Sequence, residues 1–378
     1  MTKRIVILGA GFAGMELSTL LSESVAGEAE VTLIDRADSF VLGYSKLDVM
    51  FGRTTPDAVR LPYAEFVKPG VNLVRDTIVA IDPERRHVTT GSGGFEADVL
   101  VIALGADYDY AATPGLTVAD EFYSVEGAIQ MRDRLEAFES GSVVIGVCGA
   151  PFKCPPAPSE CALLVHDYLV RRGIRDRCEV TITLPFTTPV PPSPDTSAAL
   201  GTAFAERDIT FIKSTKVAAL DHDRSVAIFR DGAEIAYDLF LGVPKHIAPE
   251  VVVATGLTVD GSIPVDSATL ETSVPGVYAI GDVATQGTPK AGVFAEGAAR
   301  ALATTLIARV RGTGETGRHE GKGSCYIEFG AGRIGRVDVD FLSGPTPTGT
   351  FQEPSETMRV LKEQFGSTRR ERWFARTG

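Results

Sequence analysis

Short apolar runs that close on glycine punctuate this chain. Ile5-Val-Ile-Leu8 runs into Gly9, Val99-Leu-Val-Ile-Ala-Leu104 into Gly105, Val143-Val-Ile145 into Gly146, and Val277-Tyr-Ala-Ile280 into Gly281. Runs of this length without polar alternation predict strands covered on both faces, as in a parallel sheet. After the first run, Met15, Leu17, Leu20 and Leu21 predict a helix, and Val31-Thr-Leu-Ile34 predicts a second strand ending on Asp35. Prolines make 185–195 an expected extended loop, and short alternating strands are expected around 210–240. An alanine- and leucine-rich helix is expected from about Phe294 to Val310. A Gly/Thr linker at 311–321 then leads to an appendix with a strand pair and a final helix.

The first strand, helix and second strand enclose Gly9-Ala-Gly11-Phe-Ala-Gly14. In a βαβ unit of about 30 residues, this spacing is a dinucleotide-binding signature. Gly9 makes the turn, Gly11 lets the backbone approach a pyrophosphate, and Gly14 lets helix and strand pack closely. The helix N-terminus offers amide donors and a positive dipole end, and Asp35 is placed to accept from a ribose hydroxyl. The unit beginning near residue 142 does not repeat the pattern. Its loop reads Gly146-Val-Cys148-Gly149-Ala-Pro151-Phe-Lys-Cys154-Pro155-Pro156. Prolines without amide hydrogens and a bulky phenylalanine stand where a second pyrophosphate would lie. No nicotinamide nucleotide is expected there, so the electrons must come from elsewhere.

A length of 378 residues suits two intertwined domains with an appendix. The net charge of −12 argues against nucleic acid as a partner. No apolar run approaches the roughly 20 residues that span a bilayer. Arg4-Ile-Val-Ile-Leu8 begins a strand at once, so no signal peptide is expected and the cytoplasm is the expected compartment. Cys148, Cys154, Cys161, Cys178 and Cys325 are an odd set for a disulfide framework, although a transient redox pair is compatible with a reducing compartment. The five histidines are scattered and the cysteine spacings are not zinc-like, so no metal site is expected.

Thr272, Ala279, Gly281 and Asp282 fit the pattern T-x6-A-x-G-D. This resembles the second FAD signature of the pyridine nucleotide–disulfide oxidoreductase superfamily. The resemblance implies FAD held by Gly9, Gly11, Gly14, Asp35, Gly105, Gly281 and Asp282. Gly149-Ala-Pro-Phe-Lys-Cys154-Pro-Pro-Ala-Pro-Ser-Glu160 resembles the redox-cysteine motif of sulfide:quinone oxidoreductases and of the flavoprotein subunit of flavocytochrome c sulfide dehydrogenases. Pro289-Lys290-Ala-Gly292-Val-Phe-Ala-Glu296 resembles their flavin-contacting segment, which adds Lys290 to the cofactor set. Gly323-Ser-Cys325-Tyr-Ile-Glu resembles the segment with the second redox cysteine. The implied fold is α/β, with two Rossmann-like three-layer domains. An FAD domain (1–108 and 246–312) is interrupted by a second domain lacking the NAD(P)H fingerprint (109–245), and a C-terminal segment (313–378) carries Cys325.

The resemblance implies a Cys154–Cys325 redox pair attacked by hydrosulfide, with electrons leaving through FAD to a quinone. Glu160 is the expected base, and a helix starting near Ser159 is expected to lower the Cys154 thiol pKa. On the residues alone, Cys154 and Cys325 also suit buried packing, as Glu160 suits a helix-start acid; Cys148, Cys161 and Cys178 are expected in the core. Residues 106–141 lack the third redox cysteine of many sulfide:quinone oxidoreductases. Phe40-Val-Leu-Gly-Tyr-Ser45 lacks the cysteine that links FAD in the flavocytochromes, so FAD should be non-covalent. Two other functions stay open: an NAD(P)H-dependent flavin disulfide or quinone reductase, and a flavin/thiol redox sensor without turnover. The expected partners are a small sulfur compound and a quinone or other acceptor, with room for a homodimer. Arg369-Arg-Glu-Arg372-Trp373-Phe374 suits either peripheral contact with the inner membrane face or a terminal helix that buries both aromatics.

Overall fold

The computed structural model describes residues 2–374. Strand β1 (Lys3–Leu8) feeds helix α1 (Phe12–Val25), which returns to β2 (Ala29–Asp35), parallel to β1 with Ile5 opposite Val31. The glycine loop between them is shaped by close packing. A Cβ on Gly14 would fall 1.9 Å from the Gly9 carbonyl oxygen, and Gly9 itself has a φ of +100°. Strands β3 (Val71–Arg75) and β4 (Val99–Ile102) extend the sheet on either side, and every residue of β4 is buried, as its unbroken apolar run requires.

The chain then builds a second parallel sheet from β5 (Gly141–Val147), helix α2 (Ala157–Arg171), β6 (Cys178–Thr183), helix α3 (Pro194–Glu206), β7 (Ile209–Ile212) and β8 (Leu239–Val243). Its strand order is β7-β6-β5-β8. The proline-rich stretch expected as a loop through residue 195 turns helical at Pro194. Ser193 caps that helix through a 3.4 Å bond from the Thr196 amide, and a proline fits the first helical position without losing a bond.

Strand β9 (Val277–Ala279) returns to the first sheet and completes the order β9-β4-β1-β2-β3. Helix α4 (Gly292–Arg311) packs along α1, burying Ala298, Ala299, Leu302 and Leu306 with Leu17 and Leu21. The appendix contains one strand more than expected. Strands β10 (Lys322–Glu328), β11 (Ile334–Asp340) and β12 (Thr348–Gln352) form an antiparallel sheet before helix α5 (Glu356–Phe374).

Helix α5 is clamped onto the first domain. Trp373 is 1% exposed and donates its indole N–H to Glu16 Oε2 at 3.0 Å. Arg372 Nε meets the same oxygen at 2.8 Å, and Arg369 Nη2 meets Glu296 at 2.7 Å. Trp373 also stands edge-on to Phe12 and Phe40, while Phe374 packs near Phe66. Of the two placements open to these aromatics, the buried one is observed, so Trp373 and Phe374 are not free for a membrane surface. No described helix is long and apolar enough to cross a membrane.

Candidate active site

The carboxyl ends of β1, β4 and β9 open onto a cavity of about 390 Å³, closed on its other sides by the Cys154 loop and the appendix. Gly11, Gly105, Gly281 and Asp282 border it, as do Cys154, Glu160 and Cys325. Sheet ends where the strand order reverses are the usual ligand crevice of open α/β sheets. Gly9, Gly14 and Asp35 shape this wall without bordering the cavity. Asp35 accepts from the Ala10 amide at 2.7 Å and the Ala37 amide at 2.8 Å, which fixes the glycine loop to the end of β2.

Lys290 departs from its expected role. Its ammonium is buried, bonded to Ser262 Oγ at 3.1 Å and to the Asp282 carbonyl, and does not line the cavity. Two lysines that the sequence reading did not single out do line it. Lys153 lies 4.5 Å from the Tyr108 ring and donates to the Ala106 carbonyl at 3.2 Å. Burial, reinforced by Lys153, brings the Lys46 ammonium down to about 8. Burial raises the Asp282 carboxyl, while Lys153, Lys290 and Lys46 oppose that shift. Lys153 was visible beside Cys154 in the motif; nothing in the sequence around Lys46 marked it.

Cys154 has a φ of +52°, a left-handed conformation that costs a non-glycine residue about 1–3 kcal/mol. The surrounding bonds hold it there: its amide donates to the Lys290 carbonyl at 2.8 Å and its carbonyl accepts from Ala157 at 2.8 Å. Helix α2 starts at Ala157, two residues before Ser159, but it does not set the thiol as expected. Burial pushes Cys154 well above the usual thiol range, Cys325 and Glu160 push further, and the Ala157 amide opposes them without reversing the shift. Burial, then Glu160 and Asp338, push Cys325 up to about 12. Both are free thiols on the cavity wall and hold their protons at neutral pH. Cys148, Cys161 and Cys178 are buried elsewhere.

The remaining wall is an ionic cluster and an aromatic patch. Glu160, 4% exposed, accepts from the Glu328 amide at 3.1 Å and from Lys362 Nζ at 3.4 Å. Burial raises its carboxyl, and Lys362 opposes that shift most. Tyr44 and Tyr326 each lie 6.2 Å from the Phe365 ring. Lys362, Glu328 and Phe365 come from the appendix and were not expected, because only the fold carries them to Glu160.

Residues 3–299 match the model of the family described as pyridine nucleotide-disulphide oxidoreductase. The chain belongs to this family. A sulfide-quinone reductase of Aquifex aeolicus is 25% identical over 358 residues, covering 87% of this chain and 82% of that one. The X-ray structure of the sulfide:quinone oxidoreductase from Aquifex aeolicus superimposes with a TM-score of 0.86 at 21% identity, over 100% of this chain and 93% of that one. A type II NADH:quinone oxidoreductase of Staphylococcus saprophyticus is 30% identical over 132 residues, 34% of this chain and 32% of that one. The resemblance to the pyridine nucleotide–disulfide oxidoreductase superfamily is borne out. This member of the pyridine nucleotide-disulphide oxidoreductase family is a flavin-dependent oxidoreductase, and its cofactor is FAD.

The residues of this oxidoreductase fit that cofactor. Gly11 is the N-cap of α1 with no side-chain cap, so the first-turn amides keep donors for a pyrophosphate. A Cβ on Gly11 would meet nothing within 4 Å, which leaves room for a phosphate. Asp282 faces the same cavity from the end of β9, where its carboxylate is an acceptor for a polyhydroxyl chain.

Proposed function

We propose that this flavoprotein oxidises sulfide, or a persulfide, through Cys154 and Cys325 and passes the electrons through FAD to a quinone. The observation that carries this reading is that Cys154, Cys325, Gly11 and Asp282 border one cavity although they come from separate segments. The sulfide-quinone reductase relative, matched over 87% of this chain, supports the same substrate and acceptor. When bound, FAD supplies a two-electron relay between donor and acceptor. The chain's own residues do the remaining work.

Cys154 and Cys325 give up two electrons and two protons to become a disulfide. Hydrosulfide attacking that disulfide leaves a persulfide on one cysteine and a thiolate on the other. Passage of the outer sulfur to a second sulfur nucleophile, such as another hydrosulfide, restores the thiol pair. Because both thiols rest protonated, Glu160 in its ionised form serves as their base. Lys46 and Lys153 bring positive charge to the wall that receives the anion. Tyr44, Tyr326 and Phe365 offer a flat apolar berth for a quinone ring. A quinone dissolved in lipid would bring the protein to a membrane face.

Anaerobic titration with sulfide, recorded through the flavin spectrum, tests this reading. Wild type should bleach and Cys154→Ser should not. A wild-type flavin that stays oxidised in excess sulfide removes the sulfide assignment. Bleaching by NAD(P)H without sulfide would favour a pyridine-nucleotide donor, despite a second loop in which Phe152 is 3% exposed and prolines replace amide donors.

A further inference from the structure

A line of ionisable side chains leads outward from the cavity. Glu160 contacts Lys362 at 3.4 Å, and Lys362 is ion-paired with Glu328. Arg53 Nη1 holds Glu328 at 2.8 Å and Asp48 at 3.4 Å. Side-chain exposure rises along the line, from 5% at Glu160 through 12% and 13% at Lys362 and Glu328 to 30% at Arg53 and Asp48. The three carboxylates exceed the two cations by one, so a proton bound by a carboxyl at the buried end of the line relieves an excess negative charge. Glu160 is the most buried of the three, and burial raises its carboxyl. Burial also raises Asp48, but Asp48 sits at the wetter end. Burial would raise Glu328 as well, yet Lys362 and Arg53 outweigh it and hold that carboxyl low. Glu160, the most buried of the three and in contact with Lys362, is the carboxyl best placed to hold an exchangeable proton.

The two ends of this line face different parts of the reaction. Glu160 borders the cavity with Cys154 and Cys325, and whenever it is ionised it raises both thiols. Lys362 borders it too, with its ammonium 5.5 Å from the Tyr44 ring, on the helix that also carries Phe365. The other charges near the line are Asp338, which raises Cys325, and Arg369 and Arg370, which act on Tyr44.

We propose that Glu160 and Lys362 are a proton-transfer couple that carries protons from the Cys154 and Cys325 thiols to the quinone at Tyr44 and Phe365. Glu328, fixed by Arg53, keeps Lys362 charged between transfers. The inference rests on the thiol-to-quinone reading given above. Closing the disulfide releases two electrons and two protons, and a quinone consumes both to become a quinol. The couple therefore runs twice for each disulfide closed and carries both protons of the quinol. Glu160 accepts from a thiol; Lys362 donates to the reduced acceptor and is recharged by Glu160. Glu328 acts through Lys362 as a positioning residue.

The test uses holoenzyme photoreduced without sulfide, then mixed anaerobically with a short-chain benzoquinone or with ferricyanide, which takes electrons without protons. Glu328→Gln should slow reoxidation by the quinone at least about tenfold, a modest share of what general acid–base groups contribute, and enlarge its solvent isotope effect. Reoxidation by ferricyanide should change less than about twofold on the same argument. Glu328→Asp should recover part of the quinone rate. Independently of turnover, infrared spectra of the protein at neutral pH should contain a protonated-carboxyl band that Glu160→Gln removes. Equal slowing with both acceptors, no slowing with the quinone, or a band indifferent to Glu160→Gln would each overturn the couple. If quinone fails to reoxidise the photoreduced wild type while ferricyanide succeeds, the quinone assignment itself falls, and the couple with it.

Discussion

The backbone amide of Cys154 donates a 2.8 Å hydrogen bond to the carbonyl of Lys290, while the Lys290 ammonium reaches across to Ser262 Oγ and the Asp282 carbonyl. One residue thus fastens the reactive loop of the second domain to the cofactor-facing turn of the first. Lys290→Met keeps the carbonyl but leaves two buried acceptors without their donor. An unsatisfied buried polar group costs about 1–3 kcal/mol. The expected outcome is a lower melting temperature and a flavin lost more readily on dilution, with bleaching by sulfide still observed in the fraction that keeps its flavin. Thermal melts and flavin fluorescence of the filtrate measure both effects.

The cysteines separate by position. Cys325→Ser, like Cys154→Ser, should abolish bleaching by sulfide while leaving the flavin bound, because each side chain borders the cavity and is only partly buried. Cys161 is 0% exposed and has no contact with the cavity. Cys161→Ser should therefore bleach at the wild-type rate but lose about 1–3 kcal/mol of stability, the cost of burying a hydroxyl without a partner. Stopped-flow absorbance and denaturant melts on the same preparations separate the two behaviours.

What the chain shows in advance depends on how local the physical requirement is. The Gly9–Gly14 loop and the Gly281-Asp282 turn were legible because backbone crowding and phosphate approach admit few residue types, and the strands around them are continuous apolar runs. The pairing of Cys154 with Cys325 in one cavity was legible only through motif resemblance. The Cys154 thiol pKa was misjudged because the helix start can be read from sequence whereas the burial that outweighs it cannot. Lys362, Glu328 and Arg53 escaped notice for a related reason: each reads as an ordinary surface charge until α5 and the appendix sheet bring them to Glu160. Trp373 allowed two placements, and the choice was made by Glu16, a residue far away in sequence.

Lys46 sets an alkaline limit. Its folded pKa of about 8 lies below the ordinary lysine value of 10.5, with burial the main cause. A lysine lowered in the fold loses its charge as pH rises through about 8, so the cavity becomes less attractive to anions in that window. The second-order rate of bleaching by hydrosulfide should fall severalfold across it. Lys46→Met should be slow at neutral pH and flat through the window. A wild-type profile that is already flat there would remove Lys46 from anion capture.

The chain contains a single tryptophan, Trp373, which makes the clamp on α5 directly observable. Burial would raise the Glu16 carboxyl, but bonds from Arg372 and Trp373 outweigh it and hold the pKa below the usual value of 4.5. A carboxyl lowered in the fold contributes stability that is present above its unfolded pKa and lost as pH falls through the folded one. Acidification below about 4.5 should therefore release α5 from α1, and Trp373 emission should shift to the red before the sheets unfold. Glu16→Gln should already show much of that shift at neutral pH, with a stability loss of about 1–3 kcal/mol, because Arg300 and Arg372 are exposed enough to be rehydrated. Since α5 also carries Lys362 and Phe365, the same variant should weaken quinone turnover more than ferricyanide turnover. Emission that stays blue in Glu16→Gln would mean that the aromatic contacts with Phe12 and Phe40 hold the helix without the ion pair.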